Sequence, residues 1–182
     1  MIRTGEVLQT ERLILRRPRA SDREPFARLN ADPRVMEFFP APLSLEESNA
    51  LMDRIEAHYQ QHGFSWSAAE LRDPGEFIGF IGLAIPRFEA AFTPCVEIGW
   101  RLAAEHWGRG LATEGARAVL EYGFKDLRLK EIVSFTTVGN FRSRRVMEKL
   151  GMTHDPADDF DHPGLPEGHP QRPHVLYRLR RE

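Results

Sequence analysis

The stretch HWGRGLATEG, residues 106–115, places two glycines and an arginine directly before a run of residues that favour a helix. Such glycines are typical of a tight turn, and also of main chain that must approach a ligand closely. The strand-like segment VEIGWRL (96–102) precedes the stretch. The last four residues of the stretch, 112–115, also begin a helical pattern, ATEGARAVLEYGFKDL (112–127). The sequence therefore predicts a strand-to-helix connection, where unpaired N–H groups and the positive end of the helix dipole favour an anion.

Three kinds of ligand-binding loop contain closely spaced glycines. A P-loop is excluded because Gly110 is followed by leucine rather than by Lys and Ser/Thr. A dinucleotide fingerprint needs a third glycine where Thr113 stands and an acidic residue near the end of the next strand, whereas Glu131 begins that strand. A pyrophosphate cradle remains, in which Gly108 and Gly110 leave room for phosphate oxygens and Arg109 adds a cation. From the glycines alone, a plain strand-to-helix turn without a ligand is the favoured explanation.

Outside this stretch, the patterns predict a mixed succession of helices and strands. Capping-box patterns at residues 21–24 and 44–47 predict two helix starts, and Gly63 is suited to end the second helix. Asn140 is the predicted cap of a later helix, which Gly151 ends. The predicted strands cover residues 12–16, 64–71, 76–85, 96–102, 131–138 and 174–179, and residues 155–173 are expected to form a long loop. This order indicates an α+β (mixed α/β) fold with helices on the faces of a sheet.

Length and composition limit the possible classes of protein. We expect a single domain over residues 1–182, since 41% hydrophobic and 29% charged residues are ordinary globular values. A formal net charge of −2 gives no general attraction to nucleic acid or an anionic membrane, so neither is an expected partner. No apolar run approaches the roughly 18 residues of a membrane helix, and the first residues lack a signal-like apolar segment, which together favour a cytoplasmic location. The single cysteine, Cys95, excludes an internal disulfide and is interpreted as a buried small residue.

Asn140 and Ser143 follow one helix and one strand after Gly110. If the strands at 96–102 and 131–138 diverge, their edges expose amides and carbonyls to an extended ligand lying between them. A cofactor with a diphosphate head and an amide-bearing arm fits this arrangement, with its phosphates on the loop and its arm bonded by Asn140.

Three blocks together resemble the GNAT family of acetyl-CoA-dependent N-acetyltransferases, and within it the RimJ/RimL-like branch of ribosomal-protein N-terminal acetyltransferases. The blocks are EIGWRL (97–102), WGRGLATE (107–114) and NFRSRRVMEKLG (140–151). TERLILR (10–16) and VLYR (175–178) extend the resemblance over nearly the whole chain. It implies a mixed, mostly antiparallel sheet splayed into a V between its central strands, with acetyl-CoA in the opening and no metal. The family's loop pattern begins with Gln or Arg where this chain has Trp107, and tryptophan is common in this branch.

The resemblance also implies the residues that bind the cofactor, with pyrophosphate on the main chain of the loop. The implied set is Ile98, Trp100, Trp107, Gly108, Arg109, Gly110, Leu111, Ala112, Thr113, Asn140 and Arg145. A main-chain N–H between Ile98 and Trp100 is expected to polarise the acetyl carbonyl. Arg142, Arg144 and Arg145 either contact the 3′-phosphate or form a solvated helix face.

Two side chains are candidates for catalysis. Glu97 is the candidate base that takes a proton from the amine, since burial on an apolar strand raises the pKa of a carboxyl group; the alternative is an ion pair with Arg101. Many relatives have a tyrosine where this chain has Met147, so Ser143 is the candidate proton donor to the leaving thiolate. The alternative for Ser143 is a local bond to the helix N-terminus.

The resulting hypothesis is direct acetyl transfer to a primary amine in a ternary complex. The acceptor is a protein or peptide N-terminus or a small-molecule amine, selected by residues 31–63 and 155–173. The alternative is a non-catalytic acetyl-CoA-binding or protein-interaction module, and a homodimer is a possible assembly. Two further groups are expected to be structural: solvated loop histidines rather than metal ligands, and core aromatics rather than an acceptor pocket. They are His154, His162, His169 and His174, and Trp66, Phe88, Phe92 and Trp100.

Overall fold

A computed structural model describes residues 7–181, which form one sheet of nine strands with four α-helices against it. The strands are β1 (Val7–Gln9), β2 (Leu13–Arg16), β3 (Trp66–Leu71), β4 (Phe77–Ala84), β5 (Glu97–Leu102), β6 (Glu131–Thr137), β7 (Thr153–His154), β8 (Phe160–Asp161) and β9 (Pro173–Arg180). The helices are α1 (Arg23–Ala31), α2 (Leu45–His62), α3 (Leu111–Lys125) and α4 (Phe141–Lys149). The sheet order is β1-β2-β3-β4-β5-β6-β9-β7, with β8 also paired to β9. No helix within residues 7–181 is long and apolar enough to cross a membrane.

Both faces of the sheet are covered, and β4 is buried along almost its whole length. On one face, α3 packs its apolar side on a core that includes Ile81, Ile98 and Ile132. On the other face, α1 and α2 pack on a second core around Phe26 and Phe80. Continuous burial explains why the sequence of β4 is apolar throughout instead of alternating.

The start and end of α2 confirm the capping prediction. The Ser44 hydroxyl accepts from the Glu47 N–H at 3.2 Å, and the Glu47 carboxylate accepts from the Ser44 N–H at 2.7 Å. Gly63 follows the helix with φ of 77°, a left-handed conformation that favours glycine. This helix therefore has both ends specified by local sequence.

A helix begins within residues 21–24 as predicted, but the capping box predicted there does not form. A short 3₁₀ turn precedes α1, which begins at Arg23 with no side-chain cap. Asp22 decides this geometry: its carboxylate accepts from the Arg19 N–H at 2.7 Å and forms a buried ion pair with Arg16. A buried ion pair between residues six positions apart thus replaces the serine cap.

The segment predicted as a long loop contains more structure than its composition indicates. A 3₁₀ turn lies at Pro156–Asp158, and β8 pairs with β9 through Phe160 and Asp161. Immediately before the segment, β7 pairs with β9 as well. Strands of two residues are too short to show alternation, so the sequence pattern does not reveal them.

The centre of the sheet diverges after a single point of contact. β5 and β6 are the only parallel neighbours among the described strands, and their ladder contains one residue pair, Glu97 with Val133. The Val133 N–H donates to the Val96 carbonyl at 3.0 Å, and one step further the Ser134 hydroxyl donates to the Ile98 carbonyl at 2.9 Å. Both strands then continue without pairing to each other. The predicted V-shaped sheet is confirmed.

Candidate active site

The loop between β5 and α3 has a backbone that requires glycine at two positions. Gly108 and Gly110 have φ of 72° and 78°, in the left-handed region that side-chain-bearing residues rarely adopt. A Cβ atom at Gly108 would meet no heavy atom within 4 Å. The backbone conformation therefore explains the glycines, and it leaves the space in front of the loop open.

Six consecutive main-chain N–H groups, from Gly108 to Thr113, have no acceptor among the described residues. The next one, of Glu114, donates to the Gly110 carbonyl at 3.0 Å and begins the helical ladder. The preceding N–H, of Trp107, donates to Ala104 at 3.2 Å, so it is already engaged. A row of free donors at a helix N-terminus is an anion-binding arrangement.

Side chains hold this loop in place from both sides. The Glu114 carboxylate accepts from the Thr10 hydroxyl and from the Arg12 N–H and guanidinium, which ties α3 to the start of β2. Arg12 also donates to the Arg109 carbonyl at 2.9 Å. The Arg109 side chain itself lies 3.1 Å from Nδ1 of His106.

The gap between β5 and β6 offers main-chain groups next to the loop. Val96 and Ile98 direct their carbonyls towards β6, and residues of a strand alternate sides, so Trp100 directs its N–H and C=O into the gap. The Leu102 carbonyl on the same side accepts from the Trp107 indole at 2.8 Å. The free edge of β5 is thus centred on Trp100.

Glu97 lies at the closed end of this gap, on the sheet face that carries Arg101. Burial raises the pKa of its carboxyl group to about 8 from the usual 4.5, although part of the residue stays exposed. No hydrogen bond or ion pair joins it to Arg101 or to any other described residue. The ion pair that was the alternative explanation is therefore absent from the described structure, and the carboxyl group is free to act on a ligand.

Asn140 and Ser143 form a local network at the start of α4. The Asn140 side chain accepts from the Ser143 N–H at 3.2 Å and donates to the Thr136 and Ser143 hydroxyls. The cap prediction is confirmed, and the local bond of Ser143 to the helix N-terminus is present. Because Ser143 Oγ accepts from the amide, its hydroxyl hydrogen remains able to donate elsewhere. Met147 is buried in the core.

The three arginines of α4 have different surroundings. Arg145 is exposed and pairs with Glu148, while Arg144 donates to the Val138 carbonyl. Arg142 lies over the Trp107 ring, 4.5 Å from its centroid. Arg142 is thus the arginine of α4 that contacts the loop region, whereas the family resemblance implies Arg145.

Two histidines expected in solvent are packed among aromatic rings. His162 and His174 are 5.0 Å apart and contact a group of phenylalanines, and burial lowers the pKa of both. The phenylalanines are Phe88, Phe92, Phe135 and Phe160. The expectation of solvated histidines is wrong for this pair. Residues 7–181 contain no group of three or more His, Cys, Asp or Glu placed to hold a metal.

Trp66 and Cys95, both expected to be structural residues, lie near Gly99 and Glu97. The Trp66 ring lies so close to Gly99 that a Cβ there would be 2.3 Å from it, which explains this glycine. The interpretation of Cys95 as a buried residue is wrong, because it is only partly buried. The pKa of its thiol is raised to about 11 by burial and by nearby Glu97. Cys95 is therefore a neutral thiol and a poor nucleophile.

Comparisons with known proteins agree with this geometry. The family model described as an acetyltransferase (GNAT) domain matches residues 12–153. The chain belongs to the GNAT acetyltransferase family. This GNAT chain is 32% identical over 196 residues to the Aspergillus fumigatus protein named FsC-acetyl coenzyme A-N(2)-transacetylase, covering 100% of this chain and 79% of that protein. Among solved structures, an acetyltransferase from Agrobacterium tumefaciens is 29% identical with a TM-score of 0.79, covering 100% and 98% of the two chains.

The fold likeness extends to the branch that the sequence resembles. RimJ of Mycobacterium smegmatis, solved in complex with CoA-disulfide, has a TM-score of 0.72 at 20% identity, covering 92% of this chain and 81% of that one. The family prediction is thus confirmed. This GNAT protein is an N-acetyltransferase, of a family that uses acetyl-CoA.

Proposed function

We propose that this protein transfers the acetyl group of acetyl-CoA directly to a primary amine while both substrates are bound. Acetyl-CoA supplies an acetyl thioester, and the reaction forms a C–N bond, breaks a C–S bond and moves one proton from the amine to the departing sulfur. One observation supports the proposal most strongly. The free N–H groups of the loop, the unpaired edge of β5 and the Glu97 carboxyl group of raised pKa all adjoin the gap between β5 and β6.

The loop fits the phosphates of the cofactor. The N–H groups of Gly108 to Thr113 are unpaired, and α3 adds the positive end of its dipole. The free edge at Trp100 is suited to pair with the amide-bearing arm. Asn140 contributes chiefly by fixing the start of α4, since both hydrogens of its amide are engaged, and one lone pair of Oδ1 remains for the arm.

The proton transfers are assigned to two side chains. Glu97, when ionised, takes a proton from the amine, because its carboxyl group is desolvated and has no competing partner among the described residues. A main-chain N–H of β5 between Ile98 and Trp100 polarises the acetyl carbonyl. Ser143 protonates the departing sulfur through the hydroxyl hydrogen that its bond to Asn140 leaves free. Solvent then returns a proton to the serine oxygen and takes one from Glu97, so that one proton has moved from nitrogen to sulfur overall.

The acceptor is proposed to enter between two covering segments. Residues 32–44, between α1 and α2, contact the 155–173 segment through Gln171, whose side chain donates to the Glu37 carbonyl at 2.8 Å. Phe39 of the first segment lies over Arg101, which shares a face of β5 with Glu97, so the two joined segments border that sheet face. Either a protein N-terminus or a small-molecule amine fits this arrangement, and a homodimer and a cytoplasmic location remain predictions.

Two measurements test the proposed function in sequence. Calorimetry with acetyl-CoA is expected to show one site per chain, and the absence of binding would remove the cofactor assignment. A thiol-release screen with peptides and small amines then tests transfer. If acetyl-CoA binds but no acceptor causes thiol release, the result would favour the non-catalytic alternative.

A further inference from the structure

Arg101 projects from the same strand face as Glu97 and lies well apart from it along β5. Residues at even spacing on a strand share a face, and four residues at about 3.3 Å each separate the two Cα atoms by about 13 Å. The β4 partner of Arg101 is Phe80, which packs in the core beneath α1 and α2. Arg101 therefore faces the side covered by residues 32–44, opposite the face on which α3 packs.

Two buried polar side chains hold the Arg101 guanidinium in position. The Ser48 hydroxyl accepts from the Asn30 amide at 2.9 Å, and Asn30 Oδ1 accepts from Arg101 Nη1 at 2.7 Å. Asn30 is 0% exposed and Ser48 is 1% exposed. Phe39 packs on the guanidinium, 4.1 Å from its ring centroid. This support fixes both the position and the plane of the cation.

No carboxylate balances this cation among the described residues. Burial lowers the pKa of Arg101 to about 10, and no acidic side chain offsets that effect. The acids of the covering segment are engaged elsewhere, Asp32 with Arg34 and Glu37 with Arg142. The remaining guanidinium nitrogens form no hydrogen bond with a described residue and are not fully buried, so they are available to a ligand. A desolvated cation without a counter-ion is unfavourable unless a ligand supplies the charge.

We propose that Arg101 binds a carboxylate of the acceptor, held several bonds away from the amine that Glu97 deprotonates. The inference rests on the proposed function and narrows its substrate class to amino-carboxylates longer than a free α-amino acid, such as short peptides. A fully extended tripeptide spans about 10 Å, which suits the spacing of the two side chains. Asn30 is then a positioning residue, which acts through the arginine.

The central experiment compares triglycine with triglycinamide, which differ in the carboxylate. Because hydrogen bonds to a charged group are strong, the KM of triglycine is expected to be about ten- to hundredfold lower than that of triglycinamide, with kcat little changed. In Arg101→Gln that preference is expected to disappear while triglycinamide turnover is retained. Equal KM values for the two peptides with the wild-type enzyme would overturn the inference and leave the proposed function intact.

A binding measurement keeps the test independent of turnover. N-acetyltriglycine and its amide are titrated into the CoA-saturated protein, and the acid is expected to bind at least tenfold more tightly to wild type but not to Arg101→Gln. Failure of the acid to bind, or equal affinities, counts against the inference even if no acceptor is acetylated. CoA affinity is measured in parallel, because a tenfold loss in Arg101→Gln would assign the arginine to a cofactor phosphate instead.

Two further variants separate recognition from folding. Asn30→Asp places a carboxylate beside Arg101, so it is expected to abolish the preference for triglycine while sparing triglycinamide. Arg28→Gln removes an exposed arginine from α1 whose partner is Glu24, and it serves as the matched control with an unchanged preference. An Asn30→Asp enzyme that still favours triglycine by the wild-type factor would refute the assignment.

Discussion

Replacing Glu97 by glutamine removes a titrating group from the edge of the β5–β6 gap at nearly constant volume. The pKa of Glu97 is about 8 in the folded protein, against the usual 4.5. At about 1.4 kcal/mol per pKa unit, this difference corresponds to about 5 kcal/mol in the free energy of unfolding. Because part of the residue is exposed, solvent reduces this figure, and we expect about 2–5 kcal/mol.

The direction in which the free energy of unfolding changes with pH follows from proton binding. Between pH 4.5 and about 8 the folded protein holds a proton that the unfolded chain has released, so the free energy of unfolding falls as pH rises. Below that window both states are protonated, and above it both are ionised, so the contribution levels off. Glutamine does not titrate. Urea denaturation from pH 4 to pH 9 should therefore show wild type losing about 2–5 kcal/mol relative to the variant.

The same substitution tests catalysis. The kcat/KM of wild type is expected to rise with pH up to about 8, and the variant should be about 10²- to 10⁴-fold slower at its plateau. A terminal amine titrates in the same region, but it contributes equally to both proteins, so their difference reports on Glu97. A chromogenic thiol assay measures the rates. Superimposable unfolding curves and pH–rate profiles for the two proteins would refute both the buried titration and the role as base.

Three other substitutions have defined outcomes. Gly108→Ala forces a side chain into a left-handed backbone at a cost of about 1–2 kcal/mol and should weaken acetyl-CoA binding at least tenfold in calorimetry, whereas Gly63→Ala carries similar strain with no change in affinity. Arg16→Leu leaves Asp22 buried without its partner and should lower the free energy of unfolding in urea by about 3–5 kcal/mol; a loss below about 1 kcal/mol would show that water or another group replaces the arginine. Ser143→Ala should lower kcat more than KM in thiol-release kinetics, and an unchanged kcat would leave Ser143 with only its bond to Asn140.

Local signals accounted for much of the fold. The box at Ser44 and the glycine at position 63 each act within one helical turn, so the sequence showed where α2 begins and ends. The glycines at 108 and 110 marked the loop, because their φ values demand residues without a side chain. The divergence of β5 from β6 was anticipated through family resemblance rather than from the residues alone, since strand pairing is a long-range property.

The features that sequence reasoning missed depend on contacts between distant residues. Asp22 pairs with Arg16 across a turn, so this ion pair and not the Ser21 side chain fixes the start of α1. Asn30 and Arg101 are brought together by the packing of α1 on β4, the strand next to β5, and no local pattern marks either as part of a site. The packing of His162 against His174 likewise arises only once β8 pairs with β9.

The single rung between β5 and β6 has a consequence for how the protein withstands stress. Two sheet regions, one ending at β5 and one starting at β6, share little main-chain hydrogen bonding at their junction. A molecule seated there bridges both regions, and a ligand at a hundred times its Kd adds about 2.7 kcal/mol to the folded state. The free energy of unfolding of the enzyme would then depend on the concentration of its own acyl donor. In a cell depleted of that donor, the folded state would be less stable.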